Sequence, residues 1–425
     1  MIDSLQILLI VLTSVLFVAD LVQSVFYINE ADRREGDDHM PHWVYYLCFC
    51  AFFGAMDFAL LAPSLPLMWV AVELTTLVSA PLIAYHRSRG ALEAMWKYLL
   101  ICSIGIGLAL FGTMLVMHAQ ELVEQGAVEG SRMWFKIGFV FVLAGYGTKT
   151  GLAPFHTWLP DAHSEAPAPV SALLSGALLN CSFFAIVRFR DIMPDGIAGF
   201  CDTAMLTFGI LSLAVAAVFM VRQTDYKRLL AYSSIEHMGL IVVLFTLLQM
   251  YGGSEIVFGD GKGVVFENLT GDILFSALLG HIVFHSLTKT LLFQTAGNLL
   301  LAFGTRAIAA VQGLGVSMKL HAVLWIAGIV FICGMPPSVL FLTELGLVVS
   351  APIWMSAIVL FLLFCVFAAM MKIGLAMTMG EPVVKPEPLP KRMLIVPYVI
   401  FTLLIAAGLF GCTVMALAIQ TGELS

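Results

Sequence analysis

Five charged residues and two histidines stand inside apolar runs that a bilayer core would reject. Glu73 lies in WVAVELTTLVSAPLI, Lys149 follows FVLAGYG, and Glu344 sits in CGMPPSVLFLTEL. His281, His285 and Lys289 share HIVFHSLTK, and Lys372 lies in FAAMMKIGLAM. A lysine at the centre of a bilayer costs about 2.5–3.5 kcal/mol on insertion scales, so each needs a partner or an outlet. The i, i+4, i+8 spacing of His281, His285 and Lys289 keeps them on one slowly drifting helical face. Acids, ammonium groups and imidazoles spread over several apolar segments are the materials of a proton or ion route, because each can hold or release a proton as its surroundings change. A fixed helix–helix ion pair would need only two of them. Lys372 stands nearer a span end, where it can snorkel.

The elements that position these groups follow from composition. The 425 residues are 60% hydrophobic and 12% charged, with mean hydropathy +0.97, where a soluble domain carries about 25% charged residues. Runs of about 20 apolar residues recur along the chain, each long enough for a hydrocarbon core of about 30 Å. The fold class is therefore an all-α polytopic membrane protein; barrel strands would alternate apolar and polar residues in segments of about ten. Twelve spans are expected, near 4–28, 43–61, 64–86, 93–118, 133–161, 168–189, 199–221, 228–250, 272–302, 319–348, 354–379 and 393–419. The first run lacks a basic n-region and a cleavage site, so it reads as a retained span and not as a signal peptide. The loops 119–132 and 251–271 are too short for a folded domain.

Basic residues set the expected orientation. Arg33, Arg34, Arg87, Arg89, Lys97, Arg222, Lys227, Arg228, Arg306, Lys319, Lys385, Lys391 and Arg392 gather on one side, against Arg132, Lys136, Arg188, Arg190 and Lys262 on the other. The rich side is expected to be cytoplasmic, with both termini external, in a cell inner membrane. Eight cysteines include no CxxC pair, so they read as small buried hydrophobes. Asp161, His163 and Glu165 put three metal-type ligands in five residues, but in a proline-rich interfacial turn with no cysteine nearby. His281 and His285 have zinc-like spacing without HExxH. No metal, redox cofactor, catalytic residue or nucleic-acid partner is expected of this chain.

Two spans must be interrupted. GYGTKTGLAPFHTWLPDAHSEAPAP, residues 145–169, breaks the fifth, and the Pro-Pro of CGMPPSVL breaks the tenth. Broken helices at mid-membrane are tolerated where they line a cavity. Five spans separate the breaks, so spans 2–6 and 7–11 form two five-helix units of opposite topology, an inverted repeat. The expected division is 1–42 as an N-terminal helix and loop, 43–197 as the first unit with its break near 150–160, 198–380 as the second with its break near 334–338, and 381–425 as a C-terminal helix. Lys149 and Glu344 then occupy corresponding broken helices.

FHTWLPDAHSEAPAPVSALLSG, RQTDYKRLLAYSSIEHMG and HIVFHSLTKTLLFQTAGN resemble the proton-pumping, antiporter-like membrane subunits of respiratory complex I, Mrp-type cation/proton antiporters and membrane-bound hydrogenases. Within them the resemblance points to component F of the hydrogenase-4 / formate hydrogenlyase type. It covers roughly residues 65–350. It implies that Glu73 is the key glutamate partnering Lys149, that His281, His285 and Lys289 form a central relay, and that Glu344 is the ionisable group of the second broken helix. Lys227 and His237 match motif positions, and Lys97, His156, Asp161, Asn180, Glu236 and Lys372 are auxiliary candidates. Asn180 stands where some relatives carry a second lysine, and an amide cannot hold a proton. Against the family pattern, two N-terminal helices and the long lateral helix of one complex I component are expected to be missing here.

The expected mechanism is electrostatic. Paired with Glu73, Lys149 keeps its proton; with Glu73 withdrawn, only desolvation acts on the ammonium, and it releases the proton along the row. Two charges 4 Å apart interact by about 4 kcal/mol at an effective dielectric of 20, about three orders of magnitude in proton affinity. The implied role is a proton-translocating subunit of a multisubunit redox complex, with other membrane and peripheral subunits as partners and protons or sodium ions as cargo. The alternatives are a component of an Mrp-like cation/proton antiporter, a component of a proton-driven inorganic-carbon uptake system, and a scaffold whose charges are fixed pairs.

Overall fold

Two helices end where glycine and proline leave them no choice. The computed structural model describes residues 2–35, 39–252 and 269–420; most of the 251–271 loop, with Lys262, lies outside them. In chain order the helices are α1 (Ile2–Glu35), α2 (His42–Leu61), α3 (Leu65–Ile83), α4 (Arg89–Glu124), α5 (Val128–Thr150), α6 (Trp158–Glu165), α7 (Ala168–Leu173), α8 (Leu179–Asp191), α9 (Asp195–Met220), α10 (Tyr226–Tyr251), α11 (Leu269–Phe303), α12 (Leu314–Ser317), α13 (Lys319–Ile332), α14 (Val339–Ser350), α15 (Ile353–Thr378) and α16 (Ile395–Gln420). After α5, Gly151 turns left-handed at φ 79°, and the Ala153–Pro154 bond is cis. After α13, Gly334 does the same at φ 58°, followed by a cis Pro336–Pro337 bond.

The breaks free carbonyls that a membrane interior cannot leave unpaired. The indole of Trp158 donates to Thr148 O at 2.8 Å, and the Ser338 hydroxyl donates to Phe331 O at 3.0 Å. Ser338 also caps α14, accepting from Leu340 N at 3.1 Å.

Among the described residues, ten helices are long and apolar enough to cross a membrane. With the interrupted pairs α5–α6 and α13–α14 they give the expected twelve crossings. Several helices outrun their apolar runs: α4, expected over 93–118, extends over Arg89–Glu124. Polar residues at the ends are good helix formers and simply carry the helix into the interface. The sixth span, expected continuous, contains a π-helical turn at Leu174–Leu178 between α7 and α8.

The centre of the bundle is α7–α8, wholly shielded, with α10 almost so; α1, α15 and α16 bury only about a third of their most apolar stretch. The apolar faces of the outer helices therefore meet lipid or other chains, while Lys149, Glu236 and Lys289 are buried inside the bundle. Close approach of α4 and α5 depends on glycine: a Cβ on Gly145 would lie 2.5 Å from Ala109 N and Gly105 O. That contact sets Lys149 against α4. We expect Gly145→Val to lower the thermal unfolding midpoint of the detergent-purified chain by several degrees. Gly107→Ala, where nothing lies within 4 Å, leaves the midpoint unchanged. Equal midpoints for both variants would refute glycine-dependent α4–α5 packing.

Candidate proton-transfer site

Lys149 occupies the last turn of α5 and is completely buried. Its Nζ donates to the Tyr98 hydroxyl of α4 at 2.7 Å and lies 4.8 Å from the centre of the same ring. Tyr98 passes the chain on to Ser79 of α3 at 2.7 Å, and Ser79 donates to Thr75 O at 2.6 Å. Trp158, from the far side of the break, packs on the Tyr98 ring with centroids 4.9 Å apart. Glu73 does not reach the ammonium. Its carboxylate accepts from Ser103 at 3.0 Å and from Thr76 at 3.3 Å, and the Thr76 hydroxyl neighbours Tyr98. The expected Glu73–Lys149 contact is therefore replaced by a hydroxyl link through Thr76 and Tyr98.

The second group joins α10, α11 and α14 around the other break. His237 Nε2 donates to Ile332 O, a carbonyl at the end of α13, at 2.9 Å. Its Nδ1 then accepts from His281 Nε2 at 2.9 Å, and His281 Nδ1 faces the Thr343 hydroxyl at 2.9 Å. With both rings neutral, Thr343 donates to His281. A proton added at His281 Nδ1 reverses only that link: the ring donates to Thr343 Oγ1, and the hydroxyl turns to Leu340 O at 2.9 Å. Both states are saturated with hydrogen bonds, and no side chain has to move. His285 stacks on His237 at 5.0 Å, and neither of its ring nitrogens has a protein partner among the described residues; buried polar atoms of this kind are ordinarily met by internal water.

One turn along α11, Lys289 Nζ donates to Leu230 O at 2.8 Å and to the Ser233 hydroxyl. Glu236, expected to be auxiliary, is buried inside this group. It lies 3.8 Å from His237 Nε2 and within electrostatic reach of Lys289 and Glu344. Glu344 follows Thr343 on α14 and rests against the turn of the break, where a Cβ on Gly334 would overlap Glu344 Oε2. Glycine is thus required there by φ and by contact. The carboxyl borders a cavity of about 430 Å³ between α14 and α15, lined by Cys333, Leu345, Leu360 and Phe364 among others.

Other candidates fall elsewhere. Lys227 donates to Ser164 O at 3.0 Å and Ala166 O at 2.7 Å, and carbonyls accept a hydrogen bond but take no proton at neutral pH. It holds the C-terminal end of α6 together with Arg306, which pairs with Glu165 at 2.8 Å. Asp161 is paired with Lys97 at 3.1 Å and Arg228 at 2.6 Å on the exposed face. Lys372 is exposed on the outside of α15. His156 lies in the break beside Tyr232, ring centroids 6.3 Å apart. Asn180 donates to Gly176 O at 2.8 Å and to Ser286 at 2.9 Å, joining α8 to α11 beside His285.

Tyr98 and Thr343 lie outside the sequence-based set, since a neutral hydroxyl in an apolar run gives no signal of its own. His163 carries more than its motif suggests. It is fully buried, stacks on Phe293 at 4.8 Å, and lies within electrostatic reach of both Lys289 and Lys227. Asp20 in α1 is fully buried too and accepts from Gln294 of α11 at 2.7 Å. Its signal is legible: an acid in the middle of the first apolar run.

Comparison with known proteins gives the family and the fold. The family profile described as NADH:quinone oxidoreductase/Mrp antiporter, TM matches residues 62–259 and 263–372. The chain is 35% identical to a hydrogenase-4 component F homolog of Methylacidiphilum infernorum, covering 96% of this chain and 85% of that protein. It is 28% identical to an Na(+)/H(+) antiporter protein of Alkalihalophilus pseudofirmus, covering 96% of this chain and 52% of that one. In fold it is similar to a chain of the Mrp complex from Dietzia sp. DQ12-45-1b, with a TM-score of 0.79 at 19% identity over 96% of this chain and 81% of that chain. A chain of respiratory complex I from Thermus thermophilus gives 0.73 at 23% identity over 95% and 85%.

Thr343 offers a test of the reversible link. Thr343→Val keeps the shape and deletes the hydroxyl, so proton transport by the assembled complex in vesicles should fall by about a hundredfold or more, the usual range for one positioned proton-transfer group. Thr343→Ser should restore most of it. Transport by the valine variant at the unaltered rate would exclude the hydroxyl from the route.

Proposed function

The chain belongs to the antiporter-like membrane subunits of the NADH:quinone oxidoreductase/Mrp family, and on that premise we propose that it translocates protons as one component of a hydrogenase- or complex I-like redox assembly. The observation that carries the reading is the His237–His281–Thr343 chain, which takes up a proton by turning one hydroxyl. Glu236, Glu344 and Lys289 surround it, and His237, His281, Thr343, Glu236 and Lys289 are buried. Lys149 and Glu73 form the entry or control end, coupled through Tyr98 and Thr76. Glu344, at the cavity between α14 and α15, is the exit end.

In this reading a change of charge at Glu73 is felt at Lys149 through the Thr76–Tyr98 link. A proton released from Lys149 passes toward Lys289 by way of His163, a buried ring within electrostatic reach of Lys289. Electrons flow through other subunits in this reading. The two broken helices, five spans apart, support the inverted division at 43–197 and 198–380. Lys149 precedes its break and Glu344 follows its own. The chain sits in the cytoplasmic membrane with its termini external, as the distribution of basic residues supports.

We expect Lys149→Ala and Glu73→Gln each to abolish proton uptake by the assembled complex in vesicles, read with a pH-sensitive dye, while electron transfer through the partner subunits continues. Undiminished uptake in both variants would sink the assignment. The 28% identity to the Na(+)/H(+) antiporter protein favours a second reading, exchange of sodium for protons. A sodium gradient that drives proton movement in the same vesicles without any electron donor would select it.

A further inference from the structure

The end of α1 remote from the N-terminus carries a group of side chains that the proton route does not use. Asp32 closes α1, His42 opens α2, and His39 lies between them. Their donor atoms all fall within 4.8 Å of one another. Asp32 Oδ2 is 2.5 Å from His42 Nε2, and Asp32 Oδ1 is 3.3 Å from His39 Nε2. We propose that Asp32, His39 and His42 bind a divalent transition-metal ion of the Zn²⁺ class, stapling the aqueous ends of α1 and α2.

The donor chemistry is that of zinc sites with three protein ligands and one open position: two imidazoles and a carboxylate. Neighbouring donors around a tetrahedral zinc lie roughly 3.3 Å apart, given bonds of about 2.0–2.1 Å. The Asp32 Oδ1–His39 Nε2 separation already has that value; His42 meets the other carboxylate oxygen, so Asp32 would hold the ion through both oxygens or turn to share one, and the His42 side needs to open by less than an ångström. The outer contacts are those that orient metal ligands. His39 Nδ1 lies 2.9 Å from Met40 O, which places the proton on Nδ1 and turns the Nε2 lone pair toward the cluster. The Tyr85 hydroxyl donates to Asp32 Oδ1 at 2.9 Å, and Tyr85 is itself buried and held by Met40 N at 2.9 Å. The three rings stack, His39 on Tyr85 at 5.4 Å and His39 on His42 at 5.3 Å. The site is thus preorganised from three helix ends.

Neighbouring charges leave it available. Arg33 and Arg34 pair with Glu30 at 2.6 and 2.7 Å, and Arg34 also with Glu387 at 2.9 Å, so neither guanidinium occupies Asp32. The His42 side chain is 45% exposed, which gives an ion a path from water. The competing account is a purely hydrogen-bonded His–Asp clasp that closes the turn, and it predicts no metal dependence.

The test is a titration of the metal-free, detergent-purified full chain with Zn²⁺ against a chromophoric chelator. One ion per chain is expected, with affinity reduced at least a hundredfold in His39→Ala and His42→Ala. Tyr85→Phe, which leaves the ligands in place, should lose 10- to 100-fold. Bound Zn²⁺ should raise the thermal unfolding midpoint of the unaltered chain and not that of a His39→Gln, His42→Gln double variant. Wild-type affinity in the double variant would assign the ion to other histidines and overturn the proposal, as would no binding against the chelator by the unaltered chain.

Discussion

Nothing inside this bundle can leave a charge or a backbone carbonyl without a partner, and most of the arrangement follows from that constraint. A bilayer supplies no water to meet either group. The breaks in α5–α6 and α13–α14 expose carbonyls, and the chain answers with Trp158 at Thr148 O and His237 at Ile332 O. Buried ammonium groups are met in the same manner, Lys149 by a phenol, Lys289 and Lys227 by backbone carbonyls. Neutral acceptors steady an ammonium and leave its charge unneutralised, so a carboxylate at one remove still acts on it.

The second break therefore does two things at once. Its freed carbonyl sets the tautomer of His237, and that choice sets the direction of the hydrogen bonds through His281 to Thr343. The turn at Gly334 then makes room for the carboxyl of Glu344. Structural necessity and the proposed proton chemistry use the same atoms. At the first break the equivalent service goes to Trp158, which packs on Tyr98 and holds the phenol against Lys149. The two breaks are alike in backbone and different in chemistry.

Much of the site was legible because burial of a charge in lipid is costly enough to be visible in a single sequence. Glu73, Lys149, His281, His285, Lys289 and Glu344 stand out by type alone, the family motifs add Lys227 and His237, and Glu236 was an auxiliary candidate. The neutral members were hidden: Tyr98 and Thr343 cost little in an apolar run and carry no spacing signal. The cluster of Asp32, His39 and His42 was likewise illegible, because flanking loop residues come together only when α1, α2 and Tyr85 are in place.

By itself the sequence determined an all-helical membrane chain, twelve crossings, the two interruptions and the identity of the buried charges. Hydropathy, glycine and proline act locally, and their consequences can be read along the chain. Only the tertiary structure decided which groups meet: that Tyr98 stands between Glu73 and Lys149, that Glu236 belongs with the histidines, and that Lys372 faces outward. These outcomes depend on helix rotation and on approach distances set by small residues such as Gly145, and such packing is a property of facing surfaces that no single segment encodes.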